Sequence, residues 1–270
     1  MDFMQAEHTI FVAAHRGWSS RYPENTMEAF RGAVSLGVDQ IETDVRITKD
    51  GELVIIHDAE VDRTTNGSGK VNSFTLYELK KLDAGKIRNM EGQGYRIPTF
   101  EEFVEYMKTL PDMTLDIELK EYPEKGNEAV AYEVCDRVLQ ALDDAGYADR
   151  MVVNTFSGKL QEYIQAHYGS KFRRHIYFPI SYLRKGMTRD PYQTGAYCCC
   201  VFRTKWTDEA NIGSKEDCDF IRSCGIHPWA GSAVKDARTV DVAIANGYEL
   251  ITCNNPDEVL RLLREKGYHK

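Results

Sequence analysis

The sequence predicts an α/β fold, a TIM-type (β/α)8 barrel with a small insertion after the third strand. Three observations carry this expectation. Short apolar runs alternate with amphipathic segments along the whole chain, the pattern of a parallel sheet. The length of 270 residues suits one barrel domain, 1–270, better than two domains. One segment, 59–98, breaks the alternation and reads as an inserted cap-like piece.

The elements follow in order. Residues 10–14 form an apolar run ending at His15. Residues 25–36 read as a helix with Met27, Phe30 and Val34 on one face, Asn25 or Thr26 as cap and Gly37 as stop. Residues 41–47 alternate as a strand, and 53–56 form a second β-rich run ending at His57-Asp58. The Lys49-Asp50-Gly51 turn joins them without a helix. Segment 59–98 carries Asn66-Gly67-Ser68-Gly69, a short amphipathic piece around Leu76, Leu79 and Leu82, and three further glycines. Residues 99–108 read as a helix opened by a Thr99/Glu102 capping box. Strands over 114–119 and 151–156 flank a helix over 128–145. A helix at 160–167, strands at 175–178 and 196–202, and a helix at 217–223 follow. Late strands at 226–230 and 248–253 precede a terminal helix at 256–266, with proline in its first turn and Gly267 beyond it. The strand candidates number nine where a barrel needs eight, so one of the late ones is the expected outlier.

Composition excludes some classes. The hydrophobic share is 42% and the charged share 28%, as in ordinary globular proteins. A net charge of −8 argues against a nucleic-acid surface, although a bound cation can still bring in an anionic substrate. The seven cysteines, three of them adjacent at 198–200, are expected to be buried free thiols of a reducing compartment. Residues 1–9 lack the basic start and apolar run of a signal peptide. No apolar stretch has the length of a membrane span. The expected setting is cytoplasmic.

The chemistry lies at strand ends. Glu42 and Asp44 are two apart in a β run and share a face. Two carboxylates on one face repel unless a cation lies between them, which suggests calcium or magnesium. Asp116, Glu118 and Lys120 also share a face. Glu118 can give a third carboxylate, and Lys120 a positive charge for a phosphate. His15-Arg16 and His57-Asp58 each follow a strand, and a barrel's active site forms at the C-terminal rim. Two histidines can share proton donation and removal. Arg16 can grip a phosphate with two prongs.

Taken as a series, these pieces are similar to a known family. His15-Arg16-Gly17, Pro23-Glu24-Asn25-Thr26 with Ala29-Phe30, Glu42-Thr43-Asp44-Val45, Thr48-Lys49-Asp50-Gly51, His57-Asp58, Asp62 to Gly69, Ile97 to Glu102 and Ile117 to Lys120 resemble the glycerophosphodiester phosphodiesterases in order and spacing. The resemblance implies a divalent metal, Ca2+ or Mg2+, on Glu42, Asp44 and Glu118. It implies His15 and His57 as the acid/base pair, Arg16 and Lys120 as phosphate ligands, and Asn25 and Asp58 as supports. The implied partner is a small-molecule glycerophosphodiester, hydrolysed to an alcohol and glycerol 3-phosphate. Oligomeric state is left open. The resemblance weakens after Lys120. Asn154-Thr155-Phe156 stands where the family has a Ser-Phe pair, Ser232 replaces an asparagine, and Asn254 stands where an aspartate is usual. Trp229 matches the family's tryptophan and reads either as a glycerol contact or as packing. Tyr22, Tyr177, Phe178, Phe202 and Trp206 are rim candidates with the same two readings. The alternatives are a phospholipase C-like or D-like enzyme on this barrel, or a silent binding protein.

Overall fold

The computed structural model describes residues 10–178, 195–202 and 211–270. Trp206 and residues 1–9 lie outside them. Eight parallel strands close a ring: β1 (Phe11–His15), β2 (Gln40–Ile47), β4 (Thr114–Leu119), β5 (Met151–Asn154), β6 (Arg173–Phe178), β7 (Cys198–Val201), β8 (His227–Ala230) and β9 (Leu250–Cys253). The seam is made by β1, which pairs in parallel with both β2 and β9. The predicted barrel is therefore present.

The ninth strand is not a late one, as the sequence suggested. It is β3 (Leu53–Ile55), which pairs antiparallel with β2 and stands outside the ring. The reason is local. Lys49-Asp50-Gly51 closes a tight hairpin: Gly51 adopts φ 84°, and the Glu52 amide donates to Thr48 Oγ1. The two strands must then run antiparallel and cannot both join a parallel ring.

Each ring strand alternates between two environments. Ile41, Val45, Leu115, Ile117, Leu119 and Val153 face outward into the main core beneath the helices. The inward residues change character along the axis. Phe11, Ala13, Val152, Cys198, Trp229 and Leu250 form an apolar plug. Two residues further along β1, β5 and β9 stand His15, Asn154 and Thr252. The strand period of two thus turns one sequence into an apolar floor and a polar rim.

Helices cover the ring. Thr26 caps α1 (Met27–Leu36), and Gly37 ends it at φ 78°. The Thr99/Glu102 capping box opens α3 (Phe100–Met107) as expected. The four-residue α2 (Leu76–Leu79) lies in segment 59–98, whose residues Val61, Val71, Leu79, Ala84, Tyr95 and Ile97 pack with Val54 and Ile56 of the hairpin in a small separate core. Next come α4 (Glu128–Asp144), α5 (Gly158–Tyr168), α6 (Lys215–Ser223) and α8 (Pro256–Glu265). Sequence reading missed α7 (Ala237–Asn246), which is opened by an Asp236/Thr239 capping box and ended by Gly247. Among the described residues, no helix is long and apolar enough to cross a membrane. All seven cysteines are free, and six are buried.

Candidate active site

The turn after β1 starts the site. Arg16 has φ 57° and Gly17 φ 77°. A Cβ on Gly17 would lie 2.6 Å from the backbone carbon of Ala29, so only glycine lets the turn rest on α1. Asn25 also has φ 57°, and its amide donates to the Arg16 carbonyl. Left-handed backbone at non-glycine residues costs about 1–3 kcal/mol each and tends to mark functional sites. Here it aims three side chains. Asn25 Nδ2 donates to Asp44 Oδ2 at 2.8 Å while its Oδ1 accepts from Thr43. Glu24 accepts from Arg16 Nη1 at 2.9 Å. Thr26 caps the helix.

Carboxylates from two adjacent strands meet inside the rim. Register places Asp44 beside Glu118. One oxygen from each of Glu42, Asp44 and Glu118 lies within 4.8 Å of the others, and all three residues are buried. Two cations stand among them. Lys120 Nζ contacts Glu118 Oε1 and lies 3.1 Å from Asp44 Oδ1. Arg16 Nε lies 3.3 Å from Asp44 Oδ2, and the Arg16 amide donates to Glu42 Oε2 at 2.8 Å. Burial pushes the Asp44 carboxyl up, but Lys120 and Arg16 outweigh it and hold Asp44 well below the usual carboxylate range. Burial, reinforced by the Asp44 charge, pushes Glu42 up. Three carboxylates against two cations leave a negative excess. Asp44 Oδ1 is buried and is met by the Lys120 ammonium without a well-aligned hydrogen bond. An all-oxygen donor set with a negative excess fits a hard dication.

The histidines flank this cluster with unlike partners. His15 Nδ1 donates to Asn254 Oδ1 at 2.6 Å, and its Nε2 lies 3.9 Å from Glu42 Oε2. Burial, then Arg16, lowers its pKa to about 3. His57 Nδ1 donates to the Asp58 carboxylate at 2.6 Å. Burial lowers its pKa as well. His57 reaches the rim by an unexpected route. It follows the antiparallel β3, not a ring strand. The β2–β3 hairpin overshoots the ring, and β3 returns far enough for the Ile56 amide to donate to the Asp44 carbonyl. Arg46 fixes the return, donating to the carbonyls of His57 at 2.9 Å and Lys120 at 3.1 Å.

One side chain of segment 59–98 ties the two halves of the site together. Arg63 donates through Nε to Asp58 Oδ2 and through Nη1 and Nη2 to Glu24 at 2.9 and 2.7 Å. Glu24 in turn holds Arg16. A continuous run of charge contacts therefore links His57, Asp58, Arg63, Glu24, Arg16 and Asp44.

A model of the glycerophosphoryl diester phosphodiesterase family matches residues 15–182. The chain belongs to this family. A glycerophosphodiester phosphodiesterase of Caldanaerobacter subterraneus subsp. tengcongensis is 33% identical over 265 residues, covering 95% of this chain and 98% of that protein. The putative glycerophosphodiester phosphodiesterase YhdW of Bacillus subtilis is 52% identical over 115 residues, 42% of this chain and 46% of that protein. Among solved structures, a putative family member from Silicibacter pomeroyi aligns with a TM-score of 0.82 at 20% identity, covering 99% of this chain and 97% of that one. An Oleispira antarctica phosphodiesterase, in complex with the product sn-glycerol-3-phosphate, aligns with a TM-score of 0.77 at 23% identity, covering 94% and 96%. This family member is a phosphodiester hydrolase.

The structure gathers nine of the ten candidate residues of this diesterase into the connected network just described. Trp229 stands apart. It is 0% exposed, its ring is stacked 4.3 Å from that of His175, and its Nε1 donates to Thr252. It belongs to the apolar plug and offers a ligand no open surface. Tyr177 stacks on Phe156 at 3.9 Å and donates to Asn154. Phe202 adjoins them, whereas Phe178 packs outward on the helix layer and Tyr22 against Trp18.

Sequence reading gave no role to Glu24, Arg63, Arg46 or the buried His175–Asp116 pair, whose Nδ1 and Oδ2 are 3.0 Å apart. Glu24 and Arg63 lay within the quoted motifs. Their signal was a charged residue in a segment that otherwise needs only caps and turns.

Proposed function

We propose that this diesterase hydrolyses glycerophosphodiesters to an alcohol and glycerol 3-phosphate, with a divalent metal and two histidines. One observation carries the reading. Three buried carboxylates converge with Arg16 and Lys120 between two histidines whose Nδ1 atoms are both committed as donors. Each Nε2 is then left for proton transfer.

Calcium or magnesium on Glu42, Asp44 and Glu118 would neutralise the nonbridging phosphate oxygens. Arg16 and Lys120 add fixed positive charge beside that position and stabilise the charge that builds in the transition state. His15 is buried with Arg16 beside it, and both disfavour the imidazolium by more than its bond to the neutral Asn254 amide favours it. Its Nε2 is suited to take the proton of the nucleophile, whether water or the neighbouring glycerol hydroxyl. His57 has a carboxylate behind it, which favours imidazolium against the burial that lowers its pKa. Its Nε2 is suited to give a proton to the leaving alcohol. Asn25 holds Asp44 in place, and Asp58 holds His57. Seven free cysteines suit a cytoplasmic setting.

Hydrolysis of glycerophosphocholine tests this. His15→Ala and His57→Ala should each abolish turnover with the far-UV spectrum unchanged, and full activity in both would refute the role of the pair. Glu42→Gln should raise the metal concentration needed for half-maximal rate, whereas activity indifferent to chelator would remove the metal.

A further inference from the structure

A cleft of about 490 Å³ opens at the rim, walled by β2, the start of the insertion and the loop between β4 and α4. Arg46, Lys70 and Lys125 bring three positive charges to its lining against one carboxylate, Glu121, and Lys120, whose ammonium is already paired with Asp44 and Glu118, closes its inner end. Glu121 lies 3.5 Å from Arg46 Nη1. The chain as a whole is strongly acidic, so this local excess of positive charge is not inherited from composition.

The cleft adjoins the reacting centre. Lys120 is shared with the carboxylate cluster, and Ala59 in its wall directly follows His57-Asp58. Its volume lies in the range of ligand pockets, about 300–1,000 Å³. Asn127 in the wall stands at the start of the 17-residue α4, whose positive end is partly offset by Glu128 in its first turn. Tyr122 is the one aromatic ring among the lining residues, and the Lys125 ammonium lies 5.1 Å from its centroid. A quaternary ammonium would find repulsion here and no aromatic cage.

We propose that this cleft receives the head group of the diester and selects head groups that carry an anion of their own, a second phosphate or a carboxylate. The proposal rests on the diesterase reading above. Phosphate binding beside Arg16 and Lys120 puts one ester arm of the substrate into the adjoining space. Lys70 and Lys125, both exposed, would then set selectivity at the outer wall.

The test compares a matched pair, glycerophosphoinositol and glycerophosphoinositol 4-phosphate, with glycerophosphocholine as reference. The expected result is a kcat/KM about tenfold higher for the phosphorylated member at low salt, from two screened charge contacts. The preference should shrink as salt rises. Lys70→Ala and Lys125→Ala should each lower the ratio within the pair, and Lys70→Glu with Lys125→Glu should invert it. A ratio is insensitive to partial unfolding. Turnover of both diesters at equal kcat/KM would overturn the proposal and leave the hydrolase reading intact. Calorimetric binding of the phosphorylated diester without turnover would keep the cleft and overturn the reaction. Neither binding nor turnover would overturn both.

Discussion

His15 and His57 look interchangeable as residues, yet their partners make them different acids. Asn254 is a neutral acceptor, so it orients His15 and stabilises its charge less than a carboxylate would. Asp58 orients His57 and is that carboxylate. This contrast yields a pH prediction. Asn254→Asp places a carboxylate on His15 Nδ1 and favours imidazolium, which raises the His15 pKa from its depressed value of about 3. His15 accepts a proton in the proposed reaction, so it works only when neutral. Activity is then lost as pH falls through that pKa, and raising the pKa moves the acidic limb of kcat/KM to higher pH. An unmoved limb would assign proton acceptance to another group. The carboxylates and histidines were legible because strand periodicity and motif order converge on them. The distinction between the histidines was not legible, because Asn254 is 239 positions from His15 and only ring closure brings them together.

At the scale of elements, the informative unit is the hairpin with the segment 59–98 that follows it. The strand pattern announced β3, and the helix-free Lys49-Asp50-Gly51 turn was legible too, yet the outlier was expected among the late strands. The short turn forces antiparallel pairing and removes β3 from the count of eight. Segment 59–98 then supplies Arg63, whose fork spans Asp58 and Glu24 with three donors. Arg63→Ala leaves two half-buried carboxylates without that partner and frees both His57 and Arg16. The expected effect is a loss in kcat of about tenfold to a hundredfold, the cost of small misplacements, with a smaller change in KM. Arg63→Lys keeps the charge but cannot form the double fork, so it should recover only part of the rate. A wild-type kcat in Arg63→Ala would show that the strut is structural. The missed helix α7 has a different cause. Its start and stop, Asp236 and Gly247, are both visible in the chain, but its apolar positions over Ala237–Asn246 are small or β-branched and weaken the helical stripe.

Across the whole molecule, the barrel separates stability from chemistry along one axis. Charged groups crowd the rim of the lumen, and Trp229 is packed beneath them against His175 and the apolar plug. Trp229→Ala should therefore cost about 3–5 kcal/mol of stability, measured by urea unfolding, because a fully buried indole is replaced by a void. A loss below about 1 kcal/mol would contradict its packed position. Length and alternation made the closed barrel legible. The depth of each inward residue was not legible, because tilt and register set it, and Trp229 could be placed on neither floor nor rim until β8 had been paired with its neighbours.

The seam between β1 and β9 bears on the order in which the site is completed during synthesis. A nascent chain holds all three carboxylates, Arg16, Lys120 and the His57–Asp58 pair once residue 120 has been added. The partner of His15 Nδ1 arrives only with residue 254. Until β9 docks on β1, that imidazole has no fixed tautomer and the ring has a gap beside it. The His15 tautomer is therefore the last feature of the site to be fixed, when the final strand of the ring joins the first.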